Sequence, residues 1–447
     1  MADEIPKSRI ARGLALVKLA ARELPVVGER VVRGRKLDEA EKKRLRESAE
    51  RAAKMLGELR GLALKVGQTV SYVDGLLPPE ATEVYQKALA KLQSGAPTVS
   101  FDQIRAEVER GLGRKLEEAF VRFDDTPVAA ASIGQVHRAA LKDEHGVEHD
   151  VAVKVQYPGI SHALTSDLKN LEVLRPLLAM LAPGADTKGG MDEVVQRLAE
   201  ELDYEHEADN QVRFAAMMAD YPDVVIPRVH RSHTAKNVLT TEFVPGRTVR
   251  EVSQEGDEAL RNRVGVAIFR FTLGTAFSRG AFNTDPHPGN YIVRDDGQVA
   301  FLDFGNVKWL PSDLHRQWRR LAKALVRGDI DEWRDRSSEL LGMEHMDRRA
   351  REIHQEYMLY TVRLVSQDRD VTIDKHWLRE SVGEGVATAK KVIKEVGVLP
   401  SKGKTMKIPP DFVMVARMQV GLIAVLANLR ANANWHRVLK EMLDATE

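Results

Sequence analysis

The run Phe282-Asn283-Thr284-Asp285-Pro286-His287-Pro288-Gly289-Asn290-Tyr291-Ile292-Val293, with Phe301-Leu302-Asp303-Phe304-Gly305 shortly after it, sets out an Asp, an Asn five residues on, and a second Asp. Asp295-Asp296-Gly297 lies between two apolar stretches, 291–293 and 299–302, and reads as a hairpin turn. That hairpin carries Asp303 back beside Asn290. Phosphoryl transfer from a nucleotide calls for such a set. One carboxylate, Asp285, accepts or orients the proton of the acceptor hydroxyl, while an amide oxygen, Asn290, and a second carboxylate, Asp303, hold Mg²⁺ against the phosphates. Hard cations take oxygen ligands of this kind. ATP or ADP with Mg²⁺ is therefore the expected cofactor pair.

Working upstream, Val151-Ala152-Val153-Lys154-Val155-Gln156 reads as a β-branched strand holding a single Lys. A cation in an apolar strand needs a charge partner or ligand. In a kinase N-lobe, a Val-Ala-Ile-Lys strand sets its Lys against the α- and β-phosphates and pairs it with a Glu of the following helix. An edge-strand Lys facing water is the plainer alternative. Residues 191–210 read as that following helix, acidic along its length with Arg197 as its one Lys or Arg. At 100° per residue Glu200, Asp203 and Glu207 share a face, and any of the three is placed to meet Lys154. Glu201 points elsewhere. A solvated acidic face is the usual fate of such a run.

Residues 101–120 read as a helix, and 128–139 as strand-turn-strand. Ala129, Ala130, Ala131 and Ser132 occupy that turn, where a kinase would carry a Gly-rich loop over the phosphates. Methyl groups there narrow the approach and restrict φ, so nucleotide binding is expected to survive with altered geometry. Residues 224–229 and 238–246 read as two more strands. The second ends in a polar, Gly-bearing turn where Glu242 and Val244 stand in place to present hinge backbone to adenine. Residues 261–280 form a long apolar helix, and 312–447 a helical subdomain.

The totals bound the rest. The 447 residues suffice for two or three domains, with 43% hydrophobic and 30% charged residues, as in ordinary globular proteins. A net charge of +1 argues against nucleic acid as a partner. With no cysteine there is no disulfide, thiol nucleophile or thiolate metal site. Neither a signal peptide nor an 18-residue apolar run is found; residues 413–429 are interrupted by Arg417, Gln419 and Asn428 and read as a buried helix. A cytoplasmic protein is expected, resting at most peripherally on a membrane.

The first 60 residues hold 16 Lys and Arg against 10 Asp and Glu. Ile10, Leu14, Val17 and Ala21 fall on one helical face flanked by Arg12, Lys18 and Arg22. Such a helix suits an anionic membrane surface, although most amphipathic helices face their own core. Lys65 and Gln68 bracket Gly67 within an apolar helical context.

Taken together, these motifs resemble the UbiB/AarF-type atypical kinases, a family linked with coenzyme Q and other isoprenoid lipids. The resemblance runs from about Lys54 to the Asp303-Phe304-Gly305 hairpin. It rests on Lys65-Val66-Gly67-Gln68, on the alanine turn, and on Glu201 with Asp203. It implies an α+β, bilobal kinase-like fold with a helical extension, residues 1–100, laid over the acceptor side. Residues 101–245 would be the N-lobe and 246–447 the mainly helical C-lobe. It implies Glu207 as partner of Lys154, and Lys65 held by Glu201 with Asp203. It also implies support of ubiquinone or other isoprenoid-lipid metabolism, with a lipid or quinone-like ligand. Membrane-spanning C-terminal segments of some relatives have no counterpart here. Two further readings stand beside an active kinase or ATPase. One is a nucleotide-responsive switch or scaffold, favoured by the alanine turn. The other is a small-molecule phosphotransferase of the aminoglycoside-kinase type, favoured by the Asp-x-His wording at Asp285 and His287.

Overall fold

The structure is a computed structural model, and it describes residues 99–131, 133–161, 200–396 and 411–445. Residues 1–98 of the expected helical extension, with Lys65, Gln68 and the basic amphipathic helix, lie outside the described residues, as does Ser132. The chain forms two compact units interleaved in sequence: residues 1–205 with 230–241, and residues 206–229 with 242–447.

Helix α1, Phe101–Leu112, opens on a capping box. The Ser100 hydroxyl accepts from the Gln103 N–H, and the Gln103 carboxamide accepts from the Ser100 N–H. It closes at Gly113, whose φ of 66° is left-handed. The single helix expected over 101–120 is therefore broken, and a short α2, Leu116–Ala119, follows. Strands β1 (Arg122–Phe123), β2 (Ala129–Ala130), β3 (Gly134–Lys142) and β4 (Glu148–Gln156) come next. β2 and β3 pair antiparallel with Ala129 opposite Val136, and β3 pairs with β4 with Val136 opposite Lys154. The strand-turn-strand reading of 128–139 holds. A Cβ on Gly134 would stand 2.1 Å from the Val155 carbonyl oxygen, so glycine is what lets these strands close at that end. Val151, Val153 and Val155 are fully buried against Ile104, Val108 and Phe120. By strand alternation Lys154 lies on the opposite face, half-buried.

Helix α3 is Tyr204–Met217. The unbroken helix expected over 191–210 is corrected here: the chain leaves helical geometry at Leu202 and Asp203 and starts again. Asp203 caps the new helix, its carboxylate accepting from the Glu205 N–H at 3.0 Å. The break has a tertiary cause. The Gln156 carboxamide donates to the Leu202 carbonyl at 2.9 Å, and the Tyr204 N–H donates to the Lys236 carbonyl at 3.0 Å. Both are groups a continuous helix would use internally. The shared face inferred for Glu200, Asp203 and Glu207 therefore does not exist as one helical face.

Next come β5 (Val224–Val225), β6 (Val238–Glu242) and β7 (Arg247–Thr248). Of the strand expected over 224–229 only two residues pair, and they run parallel to the Asp303 hairpin rather than with the first sheet. Helices α4 (Val249–Glu255) and α5 (Glu258–Phe269) follow, and α5 passes through a π turn, Arg270–Gly274, into α6 (Thr275–Arg279). Strands β8 (Ala281–Asn283), β9 (Tyr291–Val293), β10 (Val299–Phe301) and β11 (Val307–Trp309) then frame the Asp285, Asn290 and Asp303 stretch. The second sheet has the order β5-β10-β9-β7, and β8 pairs with β11. The remainder is α7 (Ser312–Val326), α8 (Ile330–Leu340), α9 (Arg348–Thr361), β12 (Val371–Ile373), α10 (Lys375–Val396), α11 (Asp411–Leu429), β13 (Ala431–Ala433) and α12 (Trp435–Asp444). A β12–β13 ribbon inside this helical subdomain was not expected.

The segment 206–229 belongs with the second unit, where the sequence reading drew one boundary at residue 245. The reason is packing: the Phe214 ring lies 5.3 Å from Phe271, 5.4 Å from Phe304 and 5.8 Å from Trp309. Met418, Leu422, Val425 and Leu426 of α11 are buried in that same core, as expected of a core helix. Among the described residues no helix is long and apolar enough to cross a membrane.

Candidate active site

The residues able to carry phosphoryl-transfer chemistry gather at the β8–β11 end of the second unit. Strand β9 pairs with β10, with Val293 opposite Val299 and Tyr291 opposite Phe301. The turn closes through Gly297, whose φ is 88°. As the hairpin reading required, the Leu302 N–H then donates to the Asn290 carbonyl at 3.0 Å, so the chain enters Asp303 directly beside the loop that holds Asn290.

That loop is internally tied. The His287 N–H donates to the Asp285 carbonyl at 2.8 Å, and the Asn290 N–H donates to the His287 carbonyl at 2.9 Å. The Asn290 carboxamide donates through Nδ2 to the Asp285 carbonyl at 3.3 Å. Its nitrogen is thereby committed and its oxygen is the end suited to a metal. Imidazole Nδ1 of His287 accepts from the Gly289 N–H at 3.1 Å, which makes Nε2 the protonated nitrogen of the neutral ring.

Asn283 joins the two motifs. Its Nδ2 donates to the Asp303 carbonyl at 2.7 Å, and its Oδ1 accepts from the Asp285 N–H at 2.8 Å. The side chain is buried at 3% exposure, so both bonds are shielded from water. Nothing in the motif pattern marks Asn283 for this role. A buried Asn ending an apolar strand was its one visible signal. On the Asp303 side, Oδ1 accepts from the Gly305 N–H at 3.0 Å. The Thr284 N–H donates to the Asn306 carbonyl at 2.8 Å, locking the residue before Asp285 to the segment after Gly305.

Helix α3 supports this cluster. Glu207, 2% exposed, accepts from the Phe304 N–H at 3.4 Å. A Cβ on Gly305 would come within 3.4 Å of Asp303 Oδ1 and 3.5 Å of Glu207 Oε2, so two carboxylates converge on that glycine. Oxygen donors alone, from Asn290 and Asp303, make a set that fits Mg²⁺, which keeps several waters and uses one or two carboxylates. Among the described residues no group of three or more His, Cys, Asp or Glu forms a separate metal site.

Lys154 lies in the first unit, with its Nζ 5.0 Å from the centroid of the buried Tyr204 ring. Asp203 and Glu201 flank the break before Tyr204, half-buried, with Asp203 serving as the helix cap. Their expected partner Lys65 is outside the described residues. Ala129 and Ala130 form β2, both exposed, and the Ala131 N–H donates to the Gly134 carbonyl at 2.8 Å to close the turn. The Ala131 N–H is therefore used within the turn.

At the expected hinge, the Glu242 N–H donates to the Arg228 carbonyl at 2.8 Å and its carboxylate accepts from the Arg228 N–H at 3.4 Å. That N–H is therefore used within the chain. Val244 follows in irregular chain, half-exposed. Beyond it, Gly246 passes so close to β9 that a Cβ would meet the Val293 carbonyl oxygen at 2.4 Å.

Comparison with known proteins follows the same lines. Residues 91–336, more than half of the chain, match the model of the ABC1 atypical kinase-like domain. The chain is 33% identical over 291 residues to AarF domain-containing protein kinase 1 of Mus musculus, covering 63% of this chain and 54% of that protein. It is 36% identical over 250 residues to the chloroplastic protein ACTIVITY OF BC1 COMPLEX KINASE 8 of Arabidopsis thaliana, covering 54% and 32% respectively. The chain thus spans about half the length, or less, of these relatives. A solved structure titled as the complex of Rv3197 with erythromycin, from Mycobacterium tuberculosis, superposes with a TM-score of 0.61 at 31% identity. It covers 87% of this chain and 93% of that one.

Proposed function

The chain belongs to the ABC1 atypical kinase-like family, the UbiB/AarF-type atypical kinases, with their bilobal α+β fold, and from that premise we propose that it is a Mg²⁺-dependent atypical kinase or ATPase. The observation that carries this reading is the pair of bonds from Asn283 to Asp285 and Asp303, which makes the two motifs one structural piece. In this reading Asp285 accepts or orients the proton of the acceptor hydroxyl. Asn290 and Asp303 would hold Mg²⁺, which supplies charge neutralisation at the phosphates when bound. Lys154 is assigned to the α- and β-phosphates on its Val-Ala-Val-Lys strand. Asn283 keeps Asp285 and Asp303 in register, so neither carboxylate has to be reoriented at the moment of reaction.

The acceptor is proposed to be a small molecule or a lipid, in support of quinone or other isoprenoid-lipid metabolism, with peripheral membrane contact through the basic segment near residue 20. That the neighbouring Rv3197 structure is titled as an erythromycin complex supports small-molecule binding on this fold. The test is ATP turnover by the full chain, with and without vesicles and quinone-like compounds. Mg²⁺-dependent ADP release that disappears in Asp303→Asn supports the reading, and turnover unchanged in that variant overturns it. Co-sedimentation with anionic vesicles, with and without residues 1–35, tests the membrane contact.

A second reading, a nucleotide-responsive switch with little turnover, has its own support. The alanine turn uses the Ala131 N–H internally at 2.8 Å, and that donor is one a Gly-rich loop would turn toward phosphate. Nucleotide binding with no turnover under any of the conditions above favours it.

A further inference from the structure

Asn210 is one turn beyond Glu207 on α3, is 1% exposed, and uses both ends of its amide. Its Nδ2 donates to the Phe304 carbonyl at 3.1 Å, and its Oδ1 accepts from the Trp309 indole N–H at 3.0 Å. The Phe304 peptide therefore sits between two side chains of one helix: Glu207 takes its N–H and Asn210 its C=O. The residue before that peptide is Asp303. Trp309, at the end of β11, is also covered by Arg213, whose guanidinium carbon lies 3.3 Å from the ring centroid. Arg213 is on the same helix. Asn210 thus grips the Asp303-Phe304-Gly305 turn at one end and, through Trp309, the strand that leaves it at the other.

We infer that Asn210 is a positioning residue for the metal-holding carboxylate Asp303, acting through the Phe304 peptide and not by contact with any ligand. This rests on the reading that Asp303 holds Mg²⁺. A carboxamide is the group that fits both demands, because it donates to one neighbour and accepts from the other. Aspartate keeps the acceptor for Trp309 and places an oxygen against the Phe304 carbonyl. Leucine, of similar volume, removes both bonds. In neither case is a ligand-contacting group altered. Partners of this outer kind cost roughly 10- to 100-fold in metal affinity when lost.

The experiment titrates Mg²⁺ at fixed ADP and reads the thermal shift of the full chain, for the unaltered protein, Asp303→Asn, Asn210→Asp, Asn210→Leu and Trp309→Phe. We expect the Mg²⁺ concentration at half-maximal shift to rise about tenfold in Asn210→Asp, with the shift at saturating Mg²⁺ retained. Asn210→Leu should do the same if folded. Trp309→Phe, which keeps the Asn210–Phe304 bond, should move it less. If Asp303→Asn leaves the Mg²⁺ dependence intact, the underlying metal assignment is wrong. If Asp303→Asn abolishes it while Asn210→Asp lowers only the melting temperature and leaves the Mg²⁺ midpoint unmoved, Asn210 is merely structural and the inference is overturned.

Discussion

Asn283 donates to the Asp303 carbonyl at 2.7 Å across the base of the β9–β10 hairpin, and this bond ties the Asp285 loop to the Asp303 turn. Replacing Asn283 by Ala leaves the Asp303 carbonyl and the Asp285 N–H without this buried partner. Each such loss costs about 1–3 kcal/mol. Urea denaturation should show a lowered midpoint, and ADP release should fall further than stability alone explains. An Asn283→Ala variant with turnover unchanged at a temperature where it is folded would separate the two motifs.

Asp303→Asn keeps an acceptor for the Gly305 N–H but removes a negative charge from the proposed Mg²⁺ set. The expected outcome is loss of the Mg²⁺-dependent part of nucleotide stabilisation in a thermal-shift assay. Stabilisation by nucleotide in EDTA should persist.

Gly421 of α11 packs against Pro286, the residue after Asp285. A Cβ there would stand 2.6 Å from Pro286 Cγ and 3.4 Å from its carbonyl oxygen. Overpacking of this kind costs about 1–3 kcal/mol. Gly421→Ala should lower kcat more than it raises KM for ATP, because the displaced residue neighbours Asp285. A KM-only effect would place Pro286 outside the loop's working geometry.

At the alanine turn, Ala130→Gly relaxes φ in the exposed strand β2, at a position opposite the buried Gln135 of β3. Nucleotide affinity, read by isothermal titration, or autophosphorylation should change. If neither moves, the turn has no part in nucleotide handling.

Two buried histidines, His137 and His233, and the half-buried His315 give the stability a pH dependence. Burial holds His137, His233 and His315 below the usual imidazole range, since desolvation penalises the charged ring. His137 Nδ1 meets the Asp124 carbonyl at 2.7 Å, and His233 Nε2 meets the Ala119 carbonyl at 2.9 Å. The unfolded chain binds protons at about pH 6.5, before the folded one does. Their contribution is therefore present above about pH 6.5 and is lost as pH falls below it. The urea midpoint should be lower at pH 5.5 than at pH 8, and His137→Gln should flatten part of that slope. Asp143 acts at lower pH. The His149 side chain and the Val147 N–H hold it down to about 2. Its contribution is present above about pH 4 and disappears as pH approaches 2.

The spacing of Asp285, Asn290 and Asp303 is readable in the chain because the hairpin that sets Asp303 beside Asn290 is local. A fixed five-residue spacing and a hairpin with a Gly turn need no knowledge of distant residues. Lys154 was legible because one Lys among valines in a short strand is conspicuous. The alanine turn was legible as a departure from an expected Gly pattern, and the structure finds it as the β2–β3 hairpin.

What the sequence by itself determined is the supply of groups: oxygen-bearing side chains at a set spacing, an apolar strand with one Lys, and the absence of thiols. The tertiary structure alone decided how those groups are held. Helix α3 starts at Tyr204 because Gln156 and Lys236, distant in the chain, capture backbone groups that a continuous helix would keep. Asn283 and Asn210 look like any other asparagines until the fold brings Asp303, Phe304 and Trp309 to them. Periodicity reports which face of an element is apolar; it carries no record of which distant carbonyl or N–H that element will meet. Hydrogen bonds between elements are therefore settled only when the chain has closed on itself.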